Sequence, residues 1–271
     1  MYQKDLLPFL KWAGGKRWLI NNFPDIFPSN FDNYIEPFLG SASVYFYLQP
    51  KNSIISDTNK DLIDTYLALK MNWQDVYKHL KIHHRKHSTE YYYKIRDYKP
   101  RKLATKAAKF LYLNRTCFNG IYRVNKKGEF NVPIGTRNNV ILETDNFAEI
   151  SKLLQTAVIL NNDYETIIDQ AKMNDFLFVD PPYTVNHNEN GFLRYNEKIF
   201  SWEDQIRLCN ALVRARDRGV KIMVTNANHD TVKNLYNNNG FEYKIVSRFS
   251  GVSSKSKGRK KFEEIIVKSN F

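Results

Sequence analysis

Short apolar runs recur along the chain, each closed by a polar or turn-forming residue and rich in β-branched or aromatic side chains. Tyr34–Glu36, Ser53–Asp57, Thr156–Asn161, Phe176–Val179, Lys221–Asn226, Phe241–Val246 and Phe262–Val267 have the length and composition of strands. Between them the spacing turns helical: from Lys16 to about Phe27, from Ser41 onward, from about Asn59 to Met71, from Asp163-Tyr164, over Asp204–Arg218 and after Asp230. Strands alternating with helices predict an α/β fold, a largely parallel sheet with helices on both faces. One interval breaks the rhythm. From about Asn59 to Phe110 the pattern is helical with no convincing strand. Asn119-Gly120 then opens an alternating stretch that turns at Lys127-Gly128 and reads as a β-hairpin.

That interval is also where the charge lies. The chain has 271 residues and a net charge of +13. Lys81 to Arg137 holds 15 basic residues against Glu90, Asp97 and Glu129, and Arg248 to Lys261 holds six with no acid. The rest is therefore mildly acidic. Charge gathered in two segments points to a polyanion, most simply nucleic acid, because solubility alone does not require concentration. His83, His84 and His87 have no nearby thiolate or acid to complete a metal site, so a solvated basic helix face is expected and no metal. Cys117 and Cys209 are the only cysteines, which gives no disulfide framework. No apolar run approaches the roughly 18–20 residues that span a bilayer. Met1 to Asp5 carries no apolar signal region, so a cytoplasmic location is expected.

Candidate chemistry sits where strands stop. Phe176–Val179 ends at Asp180-Pro181-Pro182-Tyr183. Proline cannot continue a central ladder, so a carboxylate, a rigid turn and a ring fall at a strand's carboxyl end, where open α/β sheets bind ligands. The polar, aperiodic stretch Thr184 to Ser201 that follows reads as a lid. Ser53–Ser56 likewise ends at Asp57, 17 residues after Gly40 in Pro37-Phe38-Leu39-Gly40. That is close to the spacing at which an acid reaches the ribose of a bound nucleoside, and the lack of G-x-G-x-x-G argues against a dinucleotide. Gly14-Gly15-Lys16 at a helix start suits an anionic group without being a Walker A loop, and alone it is a weak signal.

In order, Lys11-Trp-Ala-Gly-Gly-Lys16, Glu36-Pro-Phe-Leu-Gly40, Ser56-Asp57, the hairpin Asn119 to Pro133, Asp180-Pro-Pro-Tyr183 and Glu264-Ile-Ile-Val267 resemble the Dam family of DNA adenine methyltransferases, alpha group, D12 class. The likeness covers nearly the whole chain. It departs at Ser41-Ala42, where relatives often carry a second glycine.

The resemblance implies a Rossmann-like methyltransferase sheet with an inserted helical target-recognition domain bearing a β-hairpin. The catalytic domain would be 1–58 with 140–271. The recognition domain would be 59–139, its hairpin at about 119–134. It implies S-adenosyl-L-methionine as methyl donor, S-adenosyl-L-homocysteine as product, and double-stranded DNA as partner. Trp12 and Lys16 would lie at the methionine part of the cofactor, Asp57 at its ribose and Asp163 at its adenine amino group, with Phe38, Gly40 and Tyr164 completing that site and Asp180 lining both substrates. Asp180, Pro181, Pro182 and Tyr183 would be catalytic. Lys11, Phe118, Asn119, Ile121, Arg123 and Pro133 would lie near bases, Arg123 suited to guanine and Phe118 to wedging into the stack. Arg115, Lys126, Lys127 and Arg137 would meet phosphates, as would Lys255 to Lys261.

The expected reaction is N6-methylation of a flipped adenine, in GATC by the hairpin's likeness. Another adenine-containing site such as GATATC, or a non-catalytic DNA-binding relative, is the alternative. N4-cytosine methylation uses a related tetrad, usually with Ser in place of Asp. Cytosine C5 chemistry is disfavoured because neither cysteine follows a proline. A monomer or weak dimer on DNA is expected, bacterial or phage-encoded, with a cognate restriction endonuclease as a possible companion.

Overall fold

The computed structural model describes residues 6–125, 128–184, 200–249 and 261–271. Lys126, Lys127, most of the polar stretch after Thr184 and most of the basic run before Lys261 lie outside them. The chain divides into two compact units: residues 1–20, 39–51 and 57–161, and residues 21–38, 52–56 and 162–271.

Of the seven strands among the described residues, six belong to the second unit, in the order β2-β1-β4-β5-β7-β6. They are β1 (Tyr34–Glu36), β2 (Ser53–Ser56), β4 (Phe176–Val179), β5 (Lys221–Ala227), β6 (Glu242–Phe249) and β7 (Lys261–Ser269); β3 (Ala157–Leu160) lies in the first unit. β1 pairs parallel with β2 and with β4, and β4 with β5. The expected parallel sheet is present, with an addition: β7 runs antiparallel to both β5 and β6. A parallel neighbour needs a crossover of about a dozen residues or more, and only residues 250–260 separate β6 from β7.

β4 is buried along its whole length, which is why its sequence is a continuous apolar run rather than an alternation. Phe176 gathers Tyr34, Phe27, Phe31 and Phe271 around it at centroid distances of 5.6–6.4 Å. Truncating a buried Phe of this kind costs about 3–5 kcal/mol. β1 continues chain to chain toward β2 on one side and meets β4 on the other, so strand order reverses between β1 and β4. Phe38 and Asp180 follow those two strands, at the place where this architecture binds ligands.

In the first unit, α2 (Ser43–Leu48), α3 (Lys60–Lys86), α4 (Thr89–Asp97), α5 (Leu103–Thr116) and α6 (Phe147–Leu154) carry the helical segment. α3 is long because it is two helices in line. Asn72 leaves helical geometry at φ −159, and its side chain accepts the N–H of Asp75 to cap the second half. Phe9 is the hub of this core, edge-on to Phe46, Tyr66 and Phe147 at 5.1–6.2 Å.

Several elements depart from expectation. α1 (Arg17–Asn22) stops before Phe27 because Pro24 disfavours helix in the residue before it, and a single tight turn, Pro24–Ile26, follows. α2 begins at Ser43 rather than Ser41, since Gly40 and Ala42 both take left-handed backbone (φ 47 and 55). The hairpin is less regular than expected: among the described residues Cys117 pairs with Ile134 and Val124 with Phe130 as two isolated bridges. Asn119 and Gly120 form a tight turn with Phe118 (φ 57 and 67) instead of opening a strand. The histidines do not form a solvated face. His83 is buried and bonded to Tyr91, His87 is bonded to Tyr112 and Asn138, and only His84 is exposed.

Candidate active site and nucleic-acid interface

In the second unit the Asp-Pro-Pro-Tyr stretch is held at the carboxyl ends of adjacent strands. Val179 faces Val224 in register, so Asp180 and Thr225 emerge side by side, and the Thr225 hydroxyl donates to Asp180 Oδ1 at 2.8 Å. Gln205, fully buried on α8 (Trp202–Asp217), donates to the carbonyls of Pro182 and Thr184 and accepts from Asn226. Tyr183 donates its hydroxyl to Glu264 Oε2 at 2.6 Å. Burial, with the negative charges of Asp180 and Glu264 beside it, pushes the Tyr183 phenol well above its ordinary range. It is therefore a neutral donor throughout the working pH range. Thr225, Gln205, Asn226 and Glu264 were not singled out from sequence as supports of this turn. The available signal was that Lys221–Asn226, like Phe176–Asp180, is an apolar strand ending in polar residues.

Asp163 caps α7 (Tyr164–Ile168), accepting the Glu165 N–H at 3.0 Å, and both its oxygens pair with Arg207 of α8 at 2.9–3.0 Å. The Arg207 guanidinium also lies 4.3 Å over the Tyr164 ring, which stacks on Phe38 at 5.1 Å. The structure thus brings Phe38, Asp163 and Tyr164 together and adds Arg207, a residue with no motif around it.

The first unit assembles a second set. Asp57 accepts the N–H of Gly40 at 3.1 Å on one oxygen and of Asn59 at 2.9 Å on the other. Burial raises this carboxylate above its ordinary range, against the pull of the Asn59, Gly40 and Thr58 amides. Gly40 is required twice over: its φ is positive, and a Cβ there would stand 2.8 Å from Trp12 Cδ1. Lys16 is buried, with Nζ donating to the Gly14 carbonyl at 2.6 Å. A cavity of about 880 Å³ opens beside Trp12, Gly15 and Ser41 and reaches Lys11, Arg17 and Arg137. Its size falls in the range of small-molecule sites.

The basic ribbon presents Phe118 and Ile121 at 53% and 40% exposure, two apolar side chains close together in the chain. Asn119, Arg123, Pro133 and Arg137 are exposed beside them, and Arg123 Nε donates to Asn131 at 3.0 Å. Asn114 clasps Lys11, accepting its N–H at 3.0 Å and donating to its carbonyl at 2.8 Å. Arg115 is a correction. It is 2% exposed, forked onto Asp145 with both N–O distances at 2.6 Å, and donates to the carbonyls of Val140 and Phe9. A guanidinium so enclosed ties the N-terminal segment to α5 and is not presented to a phosphate. The position next to exposed readout residues made it look like a contact, and sequence carries no burial.

The second unit presents Asp-Pro-Pro-Tyr at the strand ends of a largely parallel sheet, and the first carries the Asp57 loop and a basic ribbon; these features point to a methyltransferase that acts on nucleic acid. Residues 12–251 match the D12 class N6 adenine-specific DNA methyltransferase family, and the chain belongs to it. It is similar to the Type II methyltransferase M1.LlaDCHI of Lactococcus lactis subsp. cremoris, 34% identical over 97% of this chain and 95% of that protein. It is also similar to the Type II methyltransferase M.MjaIII of Methanocaldococcus jannaschii, 36% identical over 94% and 96%. The DNA adenine methylase of Haemophilus influenzae is 31% identical over 96% and 92%. The chain is an adenine-specific DNA methyltransferase, and the family implies S-adenosyl-L-methionine as its cofactor. Among the described residues no helix is long and apolar enough to cross a membrane, and no group of three or more His, Cys, Asp or Glu could hold a metal ion.

Proposed function

We propose that the protein methylates N6 of an adenine within a specific double-stranded DNA site, GATC, after rotating the base out of the duplex. The observation that carries the chemistry is Asp180 fixed by Thr225 at the end of β4, beside a Tyr183 anchored on Glu264.

The amino group of adenine is a poor nucleophile because its lone pair is delocalised into the ring. Acceptors aimed at its N–H bonds favour the pyramidal, nucleophilic form. Asp180 supplies one and the Pro181 carbonyl the other, as preorganised electrostatics rather than as a strong base. The prolines restrict the backbone and Gln205 holds the Pro182 and Thr184 carbonyls, so the acceptors need little rearrangement when the base arrives. Tyr183 offers its ring face for stacking, and the bond to Glu264 fixes that ring's position.

The donor set suits the cofactor: a carboxylate aligned by two backbone amides at Asp57, a glycine where a Cβ would strike Trp12, and a buried lysine. Trp12, Lys16, Gly40 and Asp57, with Phe38, Asp163 and Tyr164, are the residues proposed to hold it. When bound it supplies an electrophilic methyl on a positively charged sulfur.

On the DNA side, Phe118 and Ile121 would enter the duplex where the adenine leaves, Arg123 would read a guanine edge, and Lys11, Asn119 and Pro133 would lie near bases. Lys126, Lys127 and Arg137 would meet phosphates. Residues 59–139 are proposed as the recognition domain within a catalytic domain of 1–58 and 140–271. The hairpin's likeness to GATC readers supports that target, and the Type II names of two relatives support a restriction endonuclease as companion in a bacterial or phage cytoplasm.

Sequencing of modified bases in DNA from cells expressing the protein tests target and chemistry together. N6-methyladenine at GATC is expected; the mark at another adenine-containing site sinks the GATC assignment. Asp180→Ala should lower transfer of labelled methyl by about 10²–10³-fold while DNA affinity stays within a few-fold. If the parent protein transfers no methyl to any DNA, the catalytic reading fails.

A further inference from the structure

Trp12 has a neighbour that no motif assigns. Its ring stacks on Tyr122 at 5.6 Å and 22°, with Phe110 behind both at 6.3 and 5.1 Å. Tyr122 belongs to the ribbon, between exposed Ile121 and Arg123, and a second ribbon ring, Phe130, lies 5.7 Å from it. Through its Cδ1 and Nε1 edge Trp12 abuts Gly40, whose N–H holds Asp57. The Tyr122 hydroxyl makes a separate link, donating to Asp61 Oδ2 at 3.0 Å in the first turn of α3, four residues beyond Asp57. A second contact runs alongside: the Asn114 side chain bonds the N–H and the carbonyl of Lys11 and reaches the Gly120 carbonyl at 3.5 Å, and a Cβ on Gly120 would strike Lys11 Cδ at 2.7 Å.

We infer that Tyr122 is a positioning residue through which engagement of DNA by the ribbon sets the Trp12 wall and the Asp57 acceptor of the cofactor site. A shift of the ribbon backbone that brings Ile121 and Arg123 to base edges carries the residue between them. Tyr122 then moves against a ring wedged on Gly40 and against the helix that begins beside Asp57. Since coupling between two ligands is reciprocal, cofactor binding tightens the ribbon's grip on its site to the same degree. The inference rests on the proposed cofactor and DNA roles of these residues.

Calorimetry with S-adenosyl-L-homocysteine tests it, on the free protein, with a duplex carrying the methylated site, and with a scrambled duplex. In the parent the specific duplex should tighten binding by about 5- to 150-fold, the usual span of such coupling, and the scrambled duplex by much less. In Tyr122→Leu, which keeps apolar bulk, the factor should fall to within about twofold of unity. Tyr122→Phe keeps the stack and loses only the hydroxyl link, so it should retain part of the factor. A parent with no coupling overturns the inference. So does a Tyr122→Leu protein whose affinities weaken equally with and without DNA, because that is the mark of a purely structural ring. Absence of S-adenosyl-L-homocysteine binding to the parent under every condition would instead remove the cofactor reading beneath it.

Discussion

The two units hold their functional side chains by different means. In the second, Asp180 and Tyr183 lie just beyond the end of β4 and make polar bonds with Thr225 and Glu264, while Gln205 holds the neighbouring Pro182 and Thr184 carbonyls. In the first, Trp12 is placed by packed rings, Lys11 by Asn114 and the adjoining Phe9 by Arg115, all brought in from segments far away in the chain. A site hung on a sheet tolerates loss of one bond with its frame intact. A site made of packed side chains has no frame apart from those side chains.

The deepest test of that contrast is Arg115→Met. It leaves the Asp145 carboxylate buried without its ion-pair partner and should lower stability by about 3–5 kcal/mol in urea denaturation. Replacing Asp145 by Leu as well should return much of the loss. If the single variant is as stable as the parent, the clamp on Phe9 and Val140 is dispensable and the contrast fails. Acid offers a second route with no mutation. Burial, with repulsion from His79 and Lys86, lowers the His83 imidazole to about 4. Its unfolded value is near 6.5, so as pH falls the unfolded chain takes the proton first. The folded state keeps its full stability above about pH 6.5 and loses up to about 3 kcal/mol toward pH 4. Hydrogen exchange should find the first unit loosening ahead of the second, and His83→Gln should flatten the difference.

Glu264→Ala removes the acceptor of the Tyr183 hydroxyl, at a cost of about 1–3 kcal/mol; Glu264→Gln keeps an acceptor and should lie nearer the parent. Methyl transfer should track the same order, with the sheet unchanged by circular dichroism. The smallest effect concerns Ala42, a non-glycine at φ 55. Ala42→Gly relieves left-handed strain and should raise stability by about 0.5–1 kcal/mol. A loss there would mean that the buried methyl group outweighs the backbone.

The same contrast explains what could be read from sequence. β4 and its closing Asp180 were legible because burial on both faces writes a continuous apolar run and proline marks its end. Asp57 was legible from spacing, since the loop and the strand that position it are neighbours in the chain. Arg115 was misread and Tyr122 passed over for one reason: their partners Asp145, Phe9 and Trp12 lie 30 to 110 residues away, and local pattern carries no record of them. Arg207 was missed likewise, being one basic residue on an amphipathic helix until Asp163 is seen across from it.

β7 is the last strand in chain order, yet it lies between β5 and β6. During synthesis β5 therefore emerges with one edge unpaired and stays so until Lys261–Ser269 has left the ribosome. Nascent chains of this kind expose a seven-residue template for wrong pairing. The strand that ends the exposure also delivers Glu264, so the hydroxyl of Tyr183 acquires its partner in the same event that closes the sheet. A ribosome stalled before Glu264 would hold a chain whose turn from Asp180 to Tyr183 is already made and whose Tyr183 hydroxyl has not yet met that carboxylate.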